Sequence, residues 1–177
     1  KVKCNYLNDF DYDDDENGFV DDIKGWDFNG EDNGEDNDPD PGDESHGTNA
    51  AGVVAAVTNN KEGIAGVCWY CKIMPLRIVH TTESVANAIY YAIENGARVV
   101  SMSFGNYVIN KYGPDTIVEQ AINNGFEKGL SFVSTVGNHF ISNKRYPAAL
   151  DHVIAVAATD VGDNQAGDLR KQSLNFE

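Results

Sequence analysis

A histidine stands in the stretch DESHGTNAAG (43–52), on a short polar turn with an Ala/Gly/Val-rich segment directly behind it. Histidine gains and loses a proton near neutral pH, so His46 in this position can act as a general base. Such a base needs an acid that orients its ring and a nucleophile that it deprotonates. Alone, the tripeptide HGT is weak evidence for this role, and an exposed histidine at a helix start is its default interpretation. The rest of the sequence must decide between the two interpretations.

A second group of residues with chemical potential is acidic and lies near the start of the chain. In DDDENGFVDDIK (13–24), oxygen-bearing side chains occupy the first, third and fifth positions and a glycine occupies the sixth, as in the first half of an EF-hand-type calcium loop. The twelfth position holds Lys24 instead of glutamate, so the full loop is not present. A plain solvated loop is the alternative. The predicted calcium ligands are Asp13, Asp15, Asn17, Phe19 through its carbonyl, Asp21 and Asp22.

The cysteines give a weaker signal than the histidine and the acidic loop. Cys68 and Cys71 form a CWYC pair, and Cys4 stands alone. Small buried side chains or one local disulfide explain the pair most simply. A redox-active pair would need a strand and a helix start around it, and half of a zinc site would need a second ligand pair.

The elements that must position these residues alternate along the chain. Apolar residues recur at helical spacing in 46–60, 83–96 and 114–129, and they form strand-like runs in 72–79, 98–105, 130–138 and 152–160. Asn59 and Asn60 are expected to end the first helix, and Pro75 is a mild objection to the first strand. Strands alternating with helices predict an α/β fold with a parallel sheet covered on both faces.

Ligands of parallel sheets bind beyond the carboxyl ends of the strands. Here those ends are Ser103, Phe104 and Gly105 after one strand, and Gly137 and Asn138 after the next. Taken alone, Asn138 is most simply a turn residue after Gly137, but its amide is neutral and donates two hydrogens, which suits it to hold an oxygen that becomes negatively charged.

The charge of the chain is large and uneven. The net charge is −15, of which residues 1–45 carry −14 (17 acidic residues against 3 lysines) and residues 46–177 carry −1 (11 acidic against 10 basic). We therefore predict an acidic, calcium-binding loop region over 1–45 that belongs to the same domain as a central part over 46–177. The charge argues against nucleic acid as a partner, and no apolar run is long enough for a membrane span. The glycine motifs of dinucleotide sites, P-loops and α/β-hydrolases are absent from the sequence.

The longer string of motifs is more specific than the histidine alone. HGTNAAGVVAA, NNKEGIAGV, KIMPLRIV, RVVSMSFG, STVGN and YPAALDHVIAVAATD follow one another over roughly residues 17–160. In that order and spacing the sequence resembles the subtilisin-like serine proteases. The resemblance implies a three-layer αβα fold with a mostly parallel sheet. It makes His46 the general base and Asn138 the oxyanion-hole donor, and it makes Ser103, Phe104 and Gly105 the segment that pairs with substrate backbone.

The resemblance also implies what should be sought outside this sequence. The family's triad runs Asp, His, Ser, with the serine roughly 150 residues after the histidine and therefore beyond Glu177. The serine's Gly-Thr-Ser context does not occur here. We expect the acid upstream of Lys1, the alternative being an Asp within 9–22. The fold would then be incomplete at both ends, and we predict that this polypeptide alone is inactive.

The favoured interpretation is thus the central part of a secreted, calcium-stabilised, monomeric endopeptidase that cuts polypeptides and folds with a propeptide. Two other function classes stay open at this point. One is a pseudoprotease that binds peptides along 103–105 without cutting them. The other is a calcium-binding surface protein on an α/β scaffold.

Overall fold

A computed structural model of the chain describes residues 13, 15–29, 34–42, 45–105, 116–138 and 144–162. They divide into two compact units, Lys1–Ser84 and Val85–Glu177. No helix among the described residues is long and apolar enough to cross a membrane. The elements in chain order are β1 (Trp26–Phe28), α1 (His46–Ala55), β2 (Leu76–Ile78), α2 (Thr82–Glu94), β3 (Val99–Met102), α3 (Thr116–Glu127), β4 (Ser131–Thr135) and β5 (Val153–Val156).

In the first unit, β1 and β2 form a two-stranded parallel sheet with Trp26 opposite Leu76. All three residues of β1 are buried. Gly25, just before the strand, has a φ of +115°, and a Cβ there would collide with the carbonyl oxygen of Pro75. The N–H of Trp26 donates to that same oxygen at 3.3 Å. Glycine at this position therefore lets β1 start directly against the chain that leads into β2.

A buried carboxylate lies at the centre of this small sheet. Asp27 is only 5% exposed and lies opposite Arg77 in the strand register. Its Oδ2 forms an ion pair with Arg77 Nη1 at 2.7 Å, and its Oδ1 accepts the N–H of Asn29 at 2.6 Å. Its backbone exchanges two hydrogen bonds with Asp36, at 2.8 and 3.2 Å. Asp27 thus ties together both strands and part of the acidic segment that precedes α1.

Helix α1 buries none of its residues, and a later segment of the chain holds its C-terminal end through backbone hydrogen bonds. The N–H groups of Val67 and Cys68 donate to the carbonyls of Val53 and Val54, at 3.1 and 2.8 Å. These bonds satisfy carbonyls near the helix end that have no partner inside the helix. Directly after this return segment, Cys68 forms a disulfide with Cys71. The local disulfide, one of the two simple explanations of the CWYC pair, is therefore the one present.

The second unit is built on the parallel sheet β3–β4–β5. Its core lies between β4 and α3, where Phe132, Ile122 and Ala121 are fully buried. Gly125 of α3 lies flat against the ring of Phe132, so that a Cβ would collide with it. Helix α3 can therefore approach β4 closely, and the contact of Gly125 with Phe132 sets the distance between the helix and the sheet.

The predicted order of helices and strands from residue 46 onward is confirmed, although every element is shorter than its predicted stretch, and for two of them the physical reason is visible. α1 ends at Ala55 and does not reach Asn59, because the chain turns extended at Ala56 and residues 66–68 return onto the last carbonyls. β2 covers only Leu76–Ile78, because Pro75 has no N–H to give to a strand ladder. Strand β1 lies inside the acidic segment, where no strand was predicted. The domain boundary at residue 45 stays a prediction.

Candidate active site

His46 is the first residue of α1, and its side chain is exposed. It lines a shallow, open depression of about 500 Å³ together with Ser45, Asn49, Ala50 and Val53. The backbone at the helix start is fixed by the N–H of Asn49, which donates to the Ser45 carbonyl at 2.9 Å. The position leaves the imidazole accessible to a reacting group, as a general base requires.

The predicted substrate-binding segment follows β3 and is held in place by β4. Ser134 is buried, and its hydroxyl donates to the carbonyl of Met102 at 3.1 Å while lying 3.4 Å from the carbonyl of Phe104. Met102 pairs with Ser134 in the sheet, so residues 103–105 leave the sheet at the same edge as residues 135–138. Ser103 is exposed, which leaves this stretch accessible at its start.

The turn after β4 presents Asn138 at that edge. Thr135 Oγ1 accepts the N–H of Gly137 at 3.0 Å, and the N–H of Val136 still donates to Val156 of β5 at 3.0 Å. Gly137 then takes a φ of +92°, a conformation that glycine adopts without strain. Asn138 follows directly and is exposed. The second unit therefore brings together all four of its sequence-predicted site residues at the carboxyl edge of one sheet.

Sequence reasoning missed one residue at this edge, Arg145. A Cβ placed on Gly137 would collide with its guanidinium, and a Cβ on Gly105 would lie 3.4 Å from its Cδ. Its Nε is buried. The side chain thus runs between the ends of β3 and β4. No periodic pattern marks such a residue, and the only signal was that glycines end both stretches, where side chains would otherwise fill the space.

The acidic loop is closed by hydrogen bonds among its predicted calcium ligands. Asp13 accepts the N–H groups of Gly18 and Asn17, at 2.7 and 3.1 Å, and the Asn17 amide donates to Asp22 at 3.0 Å. Desolvation acts to raise the pKa of Asp13, but the backbone hydrogen bonds from Gly18 and its neighbours outweigh it, and the net pKa is lowered. Asp13 is therefore held as a carboxylate.

The same loop is anchored to β1 through Phe19. Its ring packs edge-on against Trp26 and Phe28, with centroids 4.9 and 6.0 Å apart. Within the described part of the chain, no group of three or more His, Cys, Asp or Glu side chains is gathered closely enough to hold a metal ion. The donors are the hard oxygens that calcium prefers, but in this structure they are engaged within the loop. Asp15, for example, accepts the N–H of Asn17 at 3.3 Å.

Comparison with known proteins decides the family. The subtilase family, peptidase S8, matches residues 6–176. The chain is a subtilase. Thermitase of Thermoactinomyces vulgaris is 39% identical over 150 residues, which cover 81% of this chain and 50% of thermitase. A thermophilic serine proteinase of Bacillus sp. strain AK1 is also 39% identical over 150 residues, 81% of this chain and 35% of that protein.

Solved structures agree with this subtilase fold. A protease structure from Pseudoalteromonas arctica is 30% identical with a TM-score of 0.68, covering 76% of this chain and 50% of that one. A prenylagaramide maturation protease, at 23% identity and a TM-score of 0.63, shares the fold over 70% of this chain and 46% of its own. The predicted subtilisin-like α/β fold class is thereby confirmed. This subtilase chain spans half or less of the curated relatives' length, and the roles of its individual site residues stay predictions.

Proposed function

We propose that the protein is a serine endopeptidase that cleaves polypeptides through an acyl-enzyme. The observation that carries this proposal is the edge formed by β3 and β4 in a chain that belongs to the subtilases. There the buried Ser134 hydroxyl joins the end of β3 to β4, and residues 103–105 and Asn138 leave the sheet side by side. An extended peptide that pairs with 103–105 would have its backbone carbonyls beside Asn138.

The mechanism assigns one step to each residue. His46 removes the proton from a serine hydroxyl as the serine attacks the peptide carbonyl, and it later returns the proton to the leaving amine. Asn138 and a backbone N–H hold the negative oxygen of the tetrahedral intermediate. We propose that the serine and the acid that orients His46 come from outside residues 1–177, so that these residues alone would be inactive.

Replacing Asn138 by alanine in the intact protein tests this assignment. We expect kcat to fall by about 10²- to 10³-fold, the loss known for this donor in subtilisin, because a donor to the transition-state oxygen is removed. KM should change little, because the ground-state carbonyl does not depend on this donor. The measurement is hydrolysis of casein and of a peptide anilide, with a serine-directed phosphonate as inhibitor.

Asn87→Ala is the matched control, since Asn87 is an exposed asparagine on α2, and it should leave kcat within twofold. Phosphonate-insensitive hydrolysis, or an unchanged kcat for Asn138→Ala, would contradict the proposal. Peptide binding without cleavage by the intact protein would favour a pseudoprotease instead.

We also propose that the loop 13–22 binds one calcium ion. The support is its oxygen-only donor set, which the hydrogen bonds of Asp13 and Asn17 already close into a loop, and the packing of Phe19 against β1. The ion would compensate the mutual repulsion of the carboxylates and so stabilise the start of β1.

Isothermal titration of the chain with calcium tests this site. Asp15→Ala should weaken binding roughly tenfold or more, because the affinity of such loops follows the number of charged ligands. Asp38→Ala removes an exposed carboxylate outside the loop and should leave the affinity unchanged. Absence of heat with the unaltered chain would rule the site out.

We propose that the protein is secreted. The Cys68–Cys71 disulfide supports this location, since disulfides persist in oxidising surroundings. A propeptide that assists folding and a monomeric state belong to the same proposal.

A further inference from the structure

Among the residues of the second unit that the structure describes, Arg145 extends its side chain between the ends of β3 and β4. Its aliphatic stem lies against Gly105, with Cδ and Cγ 3.4 and 3.6 Å from the point where a Cβ would stand. Its guanidinium fills the space in which Gly137 would carry a Cβ. A methyl group on Gly137 would therefore displace the arginine, whereas on Gly105 it would be in ordinary contact with the arginine stem and closest, at 3.2 Å, to the carbonyl oxygen of Tyr146. A cation is thus built into the surface next to Asn138.

The chemistry of this position favours a carboxylate. A guanidinium is always charged and presents its N–H groups as a planar fork that matches the two oxygens of a carboxylate. The buried Nε shows that this side chain is set into the protein, so less conformational entropy is lost when a ligand binds than with a solvated arginine. The acidic charge of the sequence does not oppose such a ligand locally, because residues 46–177 carry a net charge of only −1 (11 acidic against 10 basic).

The place of Arg145 also indicates which substrate residue it contacts. Under the proposed function, on which this inference rests, Asn138 holds the carbonyl of the cleaved bond. The residue that contributes this carbonyl lies beside Gly137, and its backbone pairs with the end of residues 103–105. Its side chain must then leave the peptide between Gly105 and Gly137, which is where the guanidinium stands.

We propose that Arg145 is a specificity-determining residue that selects Asp or Glu as the substrate residue whose carbonyl is attacked. The sequence motifs assign no such selectivity. Phe104, which is half-buried and precedes Gly105 in the chain, then contacts the carbon chain of the substrate residue while the arginine binds its carboxylate.

Peptide anilides that differ only at the residue before the cleaved bond test this inference on the intact protein. The set contains Glu, Gln, Leu and Lys at that residue. With the unaltered protein, we expect kcat/KM to be highest for the Glu peptide. In Arg145→Ala, kcat/KM should fall by about 10- to 100-fold for the Glu peptide alone, which corresponds to the loss of a hydrogen bond to a charged group. Arg145→Ala should cleave the Leu peptide at least as fast as the unaltered protein does. Arg145→Lys keeps the charge but loses the fork, and should give an intermediate value.

Arg145→Glu is expected to reverse the order and prefer Lys. Lys144→Ala, an exposed neighbour, is the matched control and should preserve the preference for Glu. A purely structural role for Arg145 would lower all four rates together and leave their ratios unchanged, which would overturn the inference. Equal rates for Glu and Leu with the unaltered protein would also overturn it.

Binding separates failure of this inference from failure of the proposed function. Fluorescein-labelled tetrapeptide amides that end in Glu or Leu are titrated with the protein and followed by anisotropy. Preference for Glu that is lost in Arg145→Ala supports the carboxylate site even if no peptide is cleaved, in which case the proposed hydrolysis alone is wrong. Cleavage without any preference for Glu in binding or turnover leaves the hydrolase proposal standing and overturns this one.

Discussion

Replacing His46 by alanine is expected to lower kcat of the intact protein by about a millionfold, the loss known for removal of the base in subtilisin itself. A serine hydroxyl is a weak nucleophile at neutral pH, and without a base its proton has no acceptor during attack. KM should stay within a few fold, because the proposed mechanism gives His46 a proton transfer and no contact with the peptide backbone. The fold should survive, since α1 buries none of its residues.

The measurement is burst and steady-state hydrolysis of the best peptide anilide, with unfolding by urea as a check on the fold. His80→Ala serves as the matched control, because His80 is an exposed histidine in the same unit and has no role in the proposed mechanism. It should keep kcat within twofold. If His46→Ala retained a tenth of the activity, another base would carry the proton and the assignment of His46 would be wrong.

The parts of the fold that the sequence predicted well are those fixed by local signals. Gly96 and Gly129 follow α2 and α3 with φ of +75° and +90°, the left-handed conformation in which helices commonly stop. The run LSFVSTV around Phe132 predicted β4, and within the strand Phe132 and Ser134 are buried while Ser131 is exposed, as expected when successive side chains point to opposite faces. Because parallel strands run in the same direction, their carboxyl ends lie at the same edge of the sheet. Residues 103–105 and Asn138, which follow two such strands, were therefore predicted to lie at one edge.

The parts that the sequence did not predict depend on contacts between distant residues. Strand β1 has only three residues, WDF, with a carboxylate between two aromatic residues, and it is too short to be recognised as an apolar run or as an alternating pattern. Its buried carboxylate is paired with Arg77, fifty residues later, on the neighbouring strand. Arg145 reaches the candidate site in the same way, from a loop after β4, and nothing in its neighbouring residues indicates that contact.

Replacing Asp27 by alanine is expected to lower the free energy of unfolding of the first unit by about 3 kcal/mol, the lower end of the range for breaking a buried pair. The lower end applies because the Arg77 side chain is still 32% exposed and regains part of its hydration, whereas that of Asp27 is 7% exposed. The variant also leaves the N–H of Asn29 without its acceptor. Asp27→Asn keeps an acceptor oxygen and loses only the charge, so it should cost less.

Urea unfolding of the full chain followed by tryptophan fluorescence measures this loss, because both tryptophans, Trp26 and Trp69, lie in the first unit. Asp38→Ala, an exposed carboxylate in the same acidic segment, should change the stability by less than about 0.5 kcal/mol. The double variant Asp27→Leu with Arg77→Met removes both charges together. We expect it to be more stable than Asp27→Ala, because no buried charge is left unpaired. A loss below about 1 kcal/mol for Asp27→Ala would mean that the pair stabilises the unit no more than a surface ion pair does. The pairing of β1 with β2 would then depend on its backbone hydrogen bonds and on the burial of Trp26 and Phe28.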